Sequence, residues 1–315
     1  MRKSAYDALH NGAALIDLTG RGHFRVTGED RVRFLHAMCT NHVERLTPGE
    51  YTYAFLLTAQ GKIVADVNIL CTHDLLVLDT EPETRERVRD HLERYIIADD
   101  AVLDDMTGQV SVLALEGPRA PVVLQQLNVE PVPGPLQWIS WERSMIAAIS
   151  AIGATGYRLF VPRGEYEHIK SWVSWSEVAE AGPEEWDVVR LENARPRYGV
   201  DITESQIPHE TQLLNAVHFN KGCYLGQEIV ERVRSRGHVN RKLVQVLIEA
   251  DQAPAAGTSL VSAEGKPVGE ITSAAFSPRL GKVVALAYVR TEAVESKAPL
   301  RAGEAAAVIS AVTPG

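Results

Sequence analysis

Tyr51-Thr52-Tyr53-Ala54-Phe55-Leu56-Leu57 and Lys62-Ile63-Val64-Ala65-Asp66-Val67-Asn68-Ile69-Leu70 are two β-rich runs joined through Ala59-Gln60-Gly61. Aromatic and β-branched side chains suit a pleated, half-buried surface, and a short glycine-containing connection folds such runs back on each other. The stretch reads as an antiparallel hairpin. Hairpins rather than regular βαβ units recur on both sides of it, which makes the fold class α+β. Upstream, His23-Phe24-Arg25-Val26 reads as a short strand. Thr27 is placed to cap the next helix, with Asp30 three residues on. Val32, Leu35 and Cys39 share one face of that helix. Downstream, residues 75–78 form another strand, and Pro82 sits where a first helical turn tolerates it, opening a charged helix through Tyr95.

The middle of the chain continues in this style. It has strands at 109–115, 144–151 and 157–161, helices at 118–127, 165–175 and 184–193, and a proline-rich loop at 131–135. From Lys242 onward the strands are short, with turns at Ala256-Gly257, Glu264-Gly265 and Leu280-Gly281. That spacing points to a small β-barrel or sandwich, with a boundary near 236–241.

A chain of 315 residues is long for one domain and suggests two or three packed units. With 45% apolar and 23% charged residues it is ordinary globular material. A formal charge of −9 disfavours general nucleic-acid binding and anionic membrane surfaces. No run of about 20 apolar residues exists to span a bilayer. Met1-Arg2-Lys3-Ser4-Ala5-Tyr6-Asp7 has no apolar stretch behind its basic residues, so it is not read as a secretory signal. Three widely spaced cysteines, Cys39, Cys71 and Cys223, argue for a reducing, cytoplasmic setting. The chain carries no P-loop, G-x-G-x-x-G, H-E-x-x-H or G-x-S-x-G motif, and the ten histidines show no metal-ligand spacing, so no metal is expected.

The densest unusual stretch is Phe219-Asn220-Lys221-Gly222-Cys223-Tyr224-Leu225-Gly226-Gln227-Glu228. Flanking glycines let the backbone turn sharply, and a helix begins near Gly226. Lys221 and a helix N-terminus both favour a thiolate, making Cys223 a candidate nucleophile. The alternative is a small packing cysteine in a tight turn. Between Glu231 and Lys242 lie Arg232, Arg234, Arg236, Arg241 and Lys242 against the single acid Glu231. This basic patch suits an anionic tail or an acidic partner, or is a solvated helix face. RNA is weakly supported because no aromatic residues interleave the charges.

Lys221–Glu228 resembles the K-G-C-Y-x-G-Q-E signature of the YgfZ folate-binding proteins, relatives of the glycine-cleavage T-protein. The likeness runs along nearly the whole chain. Residues 34–41 resemble the family's early helix, and 60–66 its G-x-hydrophobic-x-x-D hairpin. Residues 190–201 resemble R-L-E-A-G-x-P-x-Y-G-x-D, and 268–278 the G-x-V-T-S…S-P of its barrel. The resemblance implies a three-part cloverleaf around a central cavity: two interleaved α+β units over residues 1–240 and a C-terminal β-barrel over 241–315. It implies tetrahydrofolate or a derivative as cofactor, with Glu192 taking the pterin through a charge-assisted pair of hydrogen bonds. Asp66 then lies near the reactive folate nitrogen. The T-protein's double acid reads Ala65-Asp66 here, so one of the two is kept. Lys221, Tyr224 and Arg232 are carried over as further cofactor contacts, Cys223 and Asp66 as the reactive groups, and Gly222, Gly226, Gln227 and Glu228 as motif positions.

The function implied is support of iron–sulfur cluster assembly or repair, through a cysteine near the folate. Assembly proteins or client enzymes are the partners, and the chain is a monomer. The runner-up is a folate-dependent aminomethyltransferase. Asp66 and the R-L-E segment favour it. The Lys221–Glu228 motif opposes it, as does the reduction of the T-protein's R-T-G-Y-T-G-E-x-G-F-E to Ala154-Thr155-Gly156-Tyr157-Arg158-Leu159. A third reading is an adaptor with folate as a structural ligand.

Overall fold

The computed structural model describes residues 1–174 and 178–312. A six-stranded sheet runs in the order Ala179–Glu180, Ala14–Asp17, Val110–Glu116, Gly156–Pro162, Ser144–Ala147 and Trp138–Trp141. A five-stranded sheet runs Tyr51–Leu57, Ile63–Cys71, Leu76–Thr80, Gly22–Thr27 and Val102–Asp105. The chain enters the first sheet at Ala14–Asp17, leaves to build the whole of the second, and returns at Val110–Glu116. The two α+β units are thereby interleaved. A closed six-stranded barrel from Arg241–Ile248 to Ala305–Val312 completes the fold. Closure pairs every strand edge, which leaves none open to aggregation.

The hairpin that decides the class pairs Tyr51 with Leu70 and Phe55 with Asp66. Its faces are almost wholly buried, so Asp66 is a carboxylate set in an apolar strand. The helix after Gly22–Thr27 starts at Arg31, not at Thr27, and neither Thr27 nor Asp30 caps it with a side chain. Asp30 Oδ2 instead accepts the backbone N–H of Asp100 at 2.9 Å. The expected helix at 165–175 is Tyr166–Ser174, and Trp175 lies outside the described residues. The first helix, Lys3–Asn11, which buries Ala5, Tyr6 and Leu9 on one face, and the strand Ala14–Asp17 were not expected. Among the described residues no helix is long and apolar enough to cross a membrane.

Candidate functional site: a charged cavity between the sheets

Where the two sheets meet, a cavity of about 180 Å³ is lined by Asp66, Glu81, Arg21, Arg158, Trp186 and Arg195, with Ser150 and Ala151 on one wall. Its floor is a buried charge cluster assembled from five segments of the chain. Asp79, fully buried, pairs with Arg21 (2.7 Å) and with Arg158, and accepts from Asn68 Nδ2 at 3.0 Å. Arg21 reaches Glu81 as well, and Arg197 bridges Glu81 (3.1 Å) and Glu83 (2.6 Å). Burial alone would raise the Asp79 carboxyl, but Arg158 and Arg21 outweigh it and hold the group well below the usual carboxylate range. Glu81 is lowered in the same way, by Arg21 and Arg197 against its burial.

Asp66 has the opposite balance. Its Oδ2 accepts the Tyr53 hydroxyl at 2.9 Å, while Oδ1 is shielded from solvent and has no hydrogen-bond partner. Burial and the neighbouring Glu81 raise its pKa, and the partial relief from Arg21, Tyr53 and Arg195 does not cancel them. A buried acceptor without a donor is rare in folded proteins and points to a missing partner. Arg195 stands opposite with its guanidinium 5.5 Å from the centre of the Tyr53 ring, and it forms no ion pair among the described residues. The set therefore offers a ligand one open carboxylate oxygen, one unpaired guanidinium and an indole wall. That suits a flat ring bearing N–H groups.

The Ser150–Ala151 wall is fixed from behind. Glu116, fully buried, accepts the Ser150 hydroxyl at 2.8 Å and the Ala151 N–H at 2.6 Å. Its carboxyl fills the space where a Cβ at Gly156 would stand, so a side chain at 156 would displace the glutamate from these two bonds. Burial pushes the Glu116 carboxyl up to about 8, with the two hydrogen bonds and Arg158 acting the other way.

Of the residues singled out from sequence, Asp66 lines this cavity, whereas Glu192, Lys221, Cys223, Tyr224 and Arg232 do not. Glu192 ends the helix Pro183–Glu192 with Oε1 hydrogen-bonded, while Oε2 is shielded from solvent and accepts no hydrogen bond. Oε1 accepts from Tyr6 (2.5 Å) and Ser277 (2.6 Å), and Oε2 stands 2.7 Å from His10 Nε2. Glu192 ties the first helix to the barrel and lies outside the cavity that Asp66 lines. Lys221 turns its ammonium inward, away from the cavity that Asp66 lines. Its ammonium donates to the carbonyls of His36 (2.5 Å), Cys39 (2.7 Å) and Asn41 (2.8 Å), closing the end of the helix Arg31–Met38. Tyr224 is buried in the core between hairpin and barrel. Arg232 is exposed on the helix Gln227–Arg236, and the side chain of Arg236 lies outside the described residues.

Cys223 is exposed on the turn that Lys221 pins, while Cys39 and Cys71 are buried. The motif around it is a clasp. Gly226, at φ +82°, opens the helix Gln227–Arg236, and a Cβ there would stand 2.5 Å from the Thr58 carbonyl. Gly61, at φ +73°, packs against Ile229 in return, so motif helix and hairpin turn interlock. Gln227 accepts the Tyr224 N–H at 3.3 Å, and Glu228 is exposed.

A small cluster of candidate metal-binding side chains also forms at the end of the helix Arg31–Met38 and just after it. His36, His42 and Glu44 bring donor atoms within 4.8 Å of one another, which sequence spacing did not reveal. However, the Val43 N–H donates to His36 Nδ1 at 3.2 Å. Burial and Lys221 hold His36 down to about 4, so the ring is neutral and carries its proton on Nε2. That nitrogen faces Glu44 at 3.7 Å as an N–H and has no lone pair for a metal.

A model of the GCVT N-terminal domain matches residues 2–221, and one of the glycine cleavage T-protein C-terminal barrel domain matches residues 241–311. A putative chloroplastic transferase of Arabidopsis thaliana is 25% identical over 307 residues, covering 95% of this chain and 70% of that protein. The aminomethyltransferase of Bacillus subtilis (strain 168) is 28% identical, covering 93% of this chain and 84% of its own. The crystal structure of glycine cleavage system aminomethyltransferase T from Bartonella henselae shares the fold, with a TM-score of 0.89 at 22% identity over 98% of this chain and 88% of that one. The chain belongs to the glycine cleavage T-protein family, matched in both its GCVT N-terminal domain and its C-terminal barrel domain.

Proposed function

We propose that the protein binds tetrahydrofolate or a derivative in the central cavity, with Asp66 as the group that meets the reactive head. The observation that carries this reading is the solvent-shielded Asp66 Oδ1 without a donor, facing a cavity with an unpaired Arg195 and the Trp186 side chain. At about 180 Å³ the cavity is smaller than the ~300–1,000 Å³ of drug-sized sites, so it suits the bicyclic head with the tail outside. A carboxyl with a raised pKa is suited to pass a proton to and from a ring nitrogen near neutral pH. The family match and the aminomethyltransferase relatives agree with a one-carbon carrier.

The folate's use divides two readings. Support of iron–sulfur assembly or repair is favoured by Cys223, an exposed thiol on a rigid turn and available to a protein partner. It acts there on the surface, not beside the folate, because it is absent from the cavity lining. Aminomethyl transfer is favoured by Asp66 but opposed by the altered strand Gly156–Pro162, where Arg158 is committed to Asp79. Titration of tetrahydrofolate into wild type and Asp66→Asn tests the binding claim. The amide presents N–H where the ligand's own N–H must be accepted, and loss of one charged hydrogen bond costs about 1.5–3 kcal/mol, roughly one to two decades in affinity. Equal affinities in a folded variant would remove Asp66 from the site. Folate-dependent ammonia release over many turnovers from an aminomethylated carrier would promote the transferase reading.

A further inference from the structure

A second concavity lies between the C-terminal end of the helix Gln227–Arg236 and the first barrel strand, and it shares no lining residue with the central cavity. It has about 330 Å³ of space, with Phe219, Leu214, Val233 and Val239 as apolar walls and Arg234, His238 and Lys242 supplying positive or protonatable heads. Among the described residues no acidic side chain lines it, on a chain whose net charge is −9. The nearest acids pair only loosely with the cations. Glu231 stands 3.5 Å from Arg234 and Glu295 stands 3.5 Å from Lys242, both partly or largely exposed. Such exposed pairs are worth little and yield readily to a better anion.

Two further features point to a ligand. Both ring nitrogens of His209, which lines the groove, are shielded from solvent and have no hydrogen-bond partner. A neutral imidazole has one N–H, so a buried donor here awaits an acceptor. The Phe219 ring is flanked by the Arg234 guanidinium at 4.8 Å and by the His209 ring at 5.9 Å, an aromatic and cationic stack that a flat ligand can extend.

We infer that this groove binds a small aromatic anion, its ring against Phe219 and His209 and its carboxylate or phosphate between Arg234 and Lys242. Carboxylates and phosphate esters share this chemistry, and the two are separable by probe. Saturation-transfer NMR with phenyl phosphate, phenylacetate and the neutral benzyl alcohol, on wild type and on Arg234→Gln/Lys242→Gln, tests it. Both substituted side chains are solvent-accessible, and an unchanged melting temperature checks the fold. At least one anion should bind saturably and at least tenfold more tightly than benzyl alcohol. The double variant should lose at least tenfold of that affinity, while its affinity for tetrahydrofolate in the central cavity stays at the wild-type value. A stronger response from phenyl phosphate assigns the site to phosphate esters, and one from phenylacetate assigns it to carboxylates. Anions binding no better than the alcohol, or binding equally to the double variant, would overturn the inference.

Discussion

Lys221→Met separates the two roles open to the lysine of the motif. The methionine keeps the length of the stem but deletes an ammonium that donates to three carbonyls at 2.5, 2.7 and 2.8 Å. The bonds to His36 and Cys39 are buried, so two acceptors at a helix end lose their donor without gaining water. An orphaned buried acceptor costs about 1–3 kcal/mol, and a cation at a helix C-terminus adds a further fraction of that. The ammonium's own burial, which lowers its pKa, offsets part of the sum. The net loss expected is about 3 kcal/mol. Urea unfolding at pH 7 reads it as a lower midpoint at unchanged slope. Titration of tetrahydrofolate under native conditions should give the wild-type affinity. A loss of less than about 1 kcal/mol together with weakened folate binding would refute the reasoning and return Lys221 to the ligand site.

Glu116→Gln should flatten the fall of stability with pH. Because its folded pKa of about 8 lies above the ordinary 4.5, the native state holds the extra proton between those values. That contribution is complete below 4.5 and is lost as pH rises through 8. At about 1.36 kcal/mol per pH unit the whole span is about 5 kcal/mol, visible as a steeper decline in urea midpoint from pH 5 to 9 for wild type than for the variant. Glu192→Ala should cost about 2–4 kcal/mol in thermal or urea unfolding, because Tyr6 and Ser277 lose a shared acceptor and His10 its carboxylate neighbour, and should leave folate affinity unchanged in the folded fraction. Limited alkylation read by mass spectrometry should label Cys223 before the buried Cys39 and Cys71, and Cys223→Ala should unfold within about 1 kcal/mol of wild type. If that variant also restores iron–sulfur enzyme activity in cells lacking their own homologue, the thiol has no role there.

The hairpin from Tyr51 to Cys71 and the barrel beyond Arg241 were legible because period-two patterns and glycine turns act over a few residues. Asp66 was found through its place in the hairpin motif. The rest of the cavity was hidden because Arg21, Asp79 and Arg158 come from segments that only the interleaved topology brings together. A local signal did exist. Asp79 follows Leu76-Val77-Leu78, and Arg158 sits between Tyr157 and Leu159-Phe160, single charges inside strands otherwise apolar enough to be buried. Such charges need partners across the fold. Glu192, Lys221 and Tyr224 lie outside the lining of that cavity. A resemblance marks a position as special, and the special task here is holding elements together: helix to barrel, turn to helix, and core to motif. The groove beside Arg234 drew on the basic run that sequence had singled out, but Phe219 and His209 joined it only through packing.

A crystal structure of the protein grown with tetrahydrofolate tests the central claim most directly. The account predicts the bicyclic head in the cavity between the two sheets, with a ring N–H about 2.7–3.2 Å from Asp66 Oδ1, Arg195 and Trp186 in contact with the ligand, and Cys223 out of reach. A folate bound against the turn at Cys223, or contacting Glu192 in place of Asp66, would contradict it.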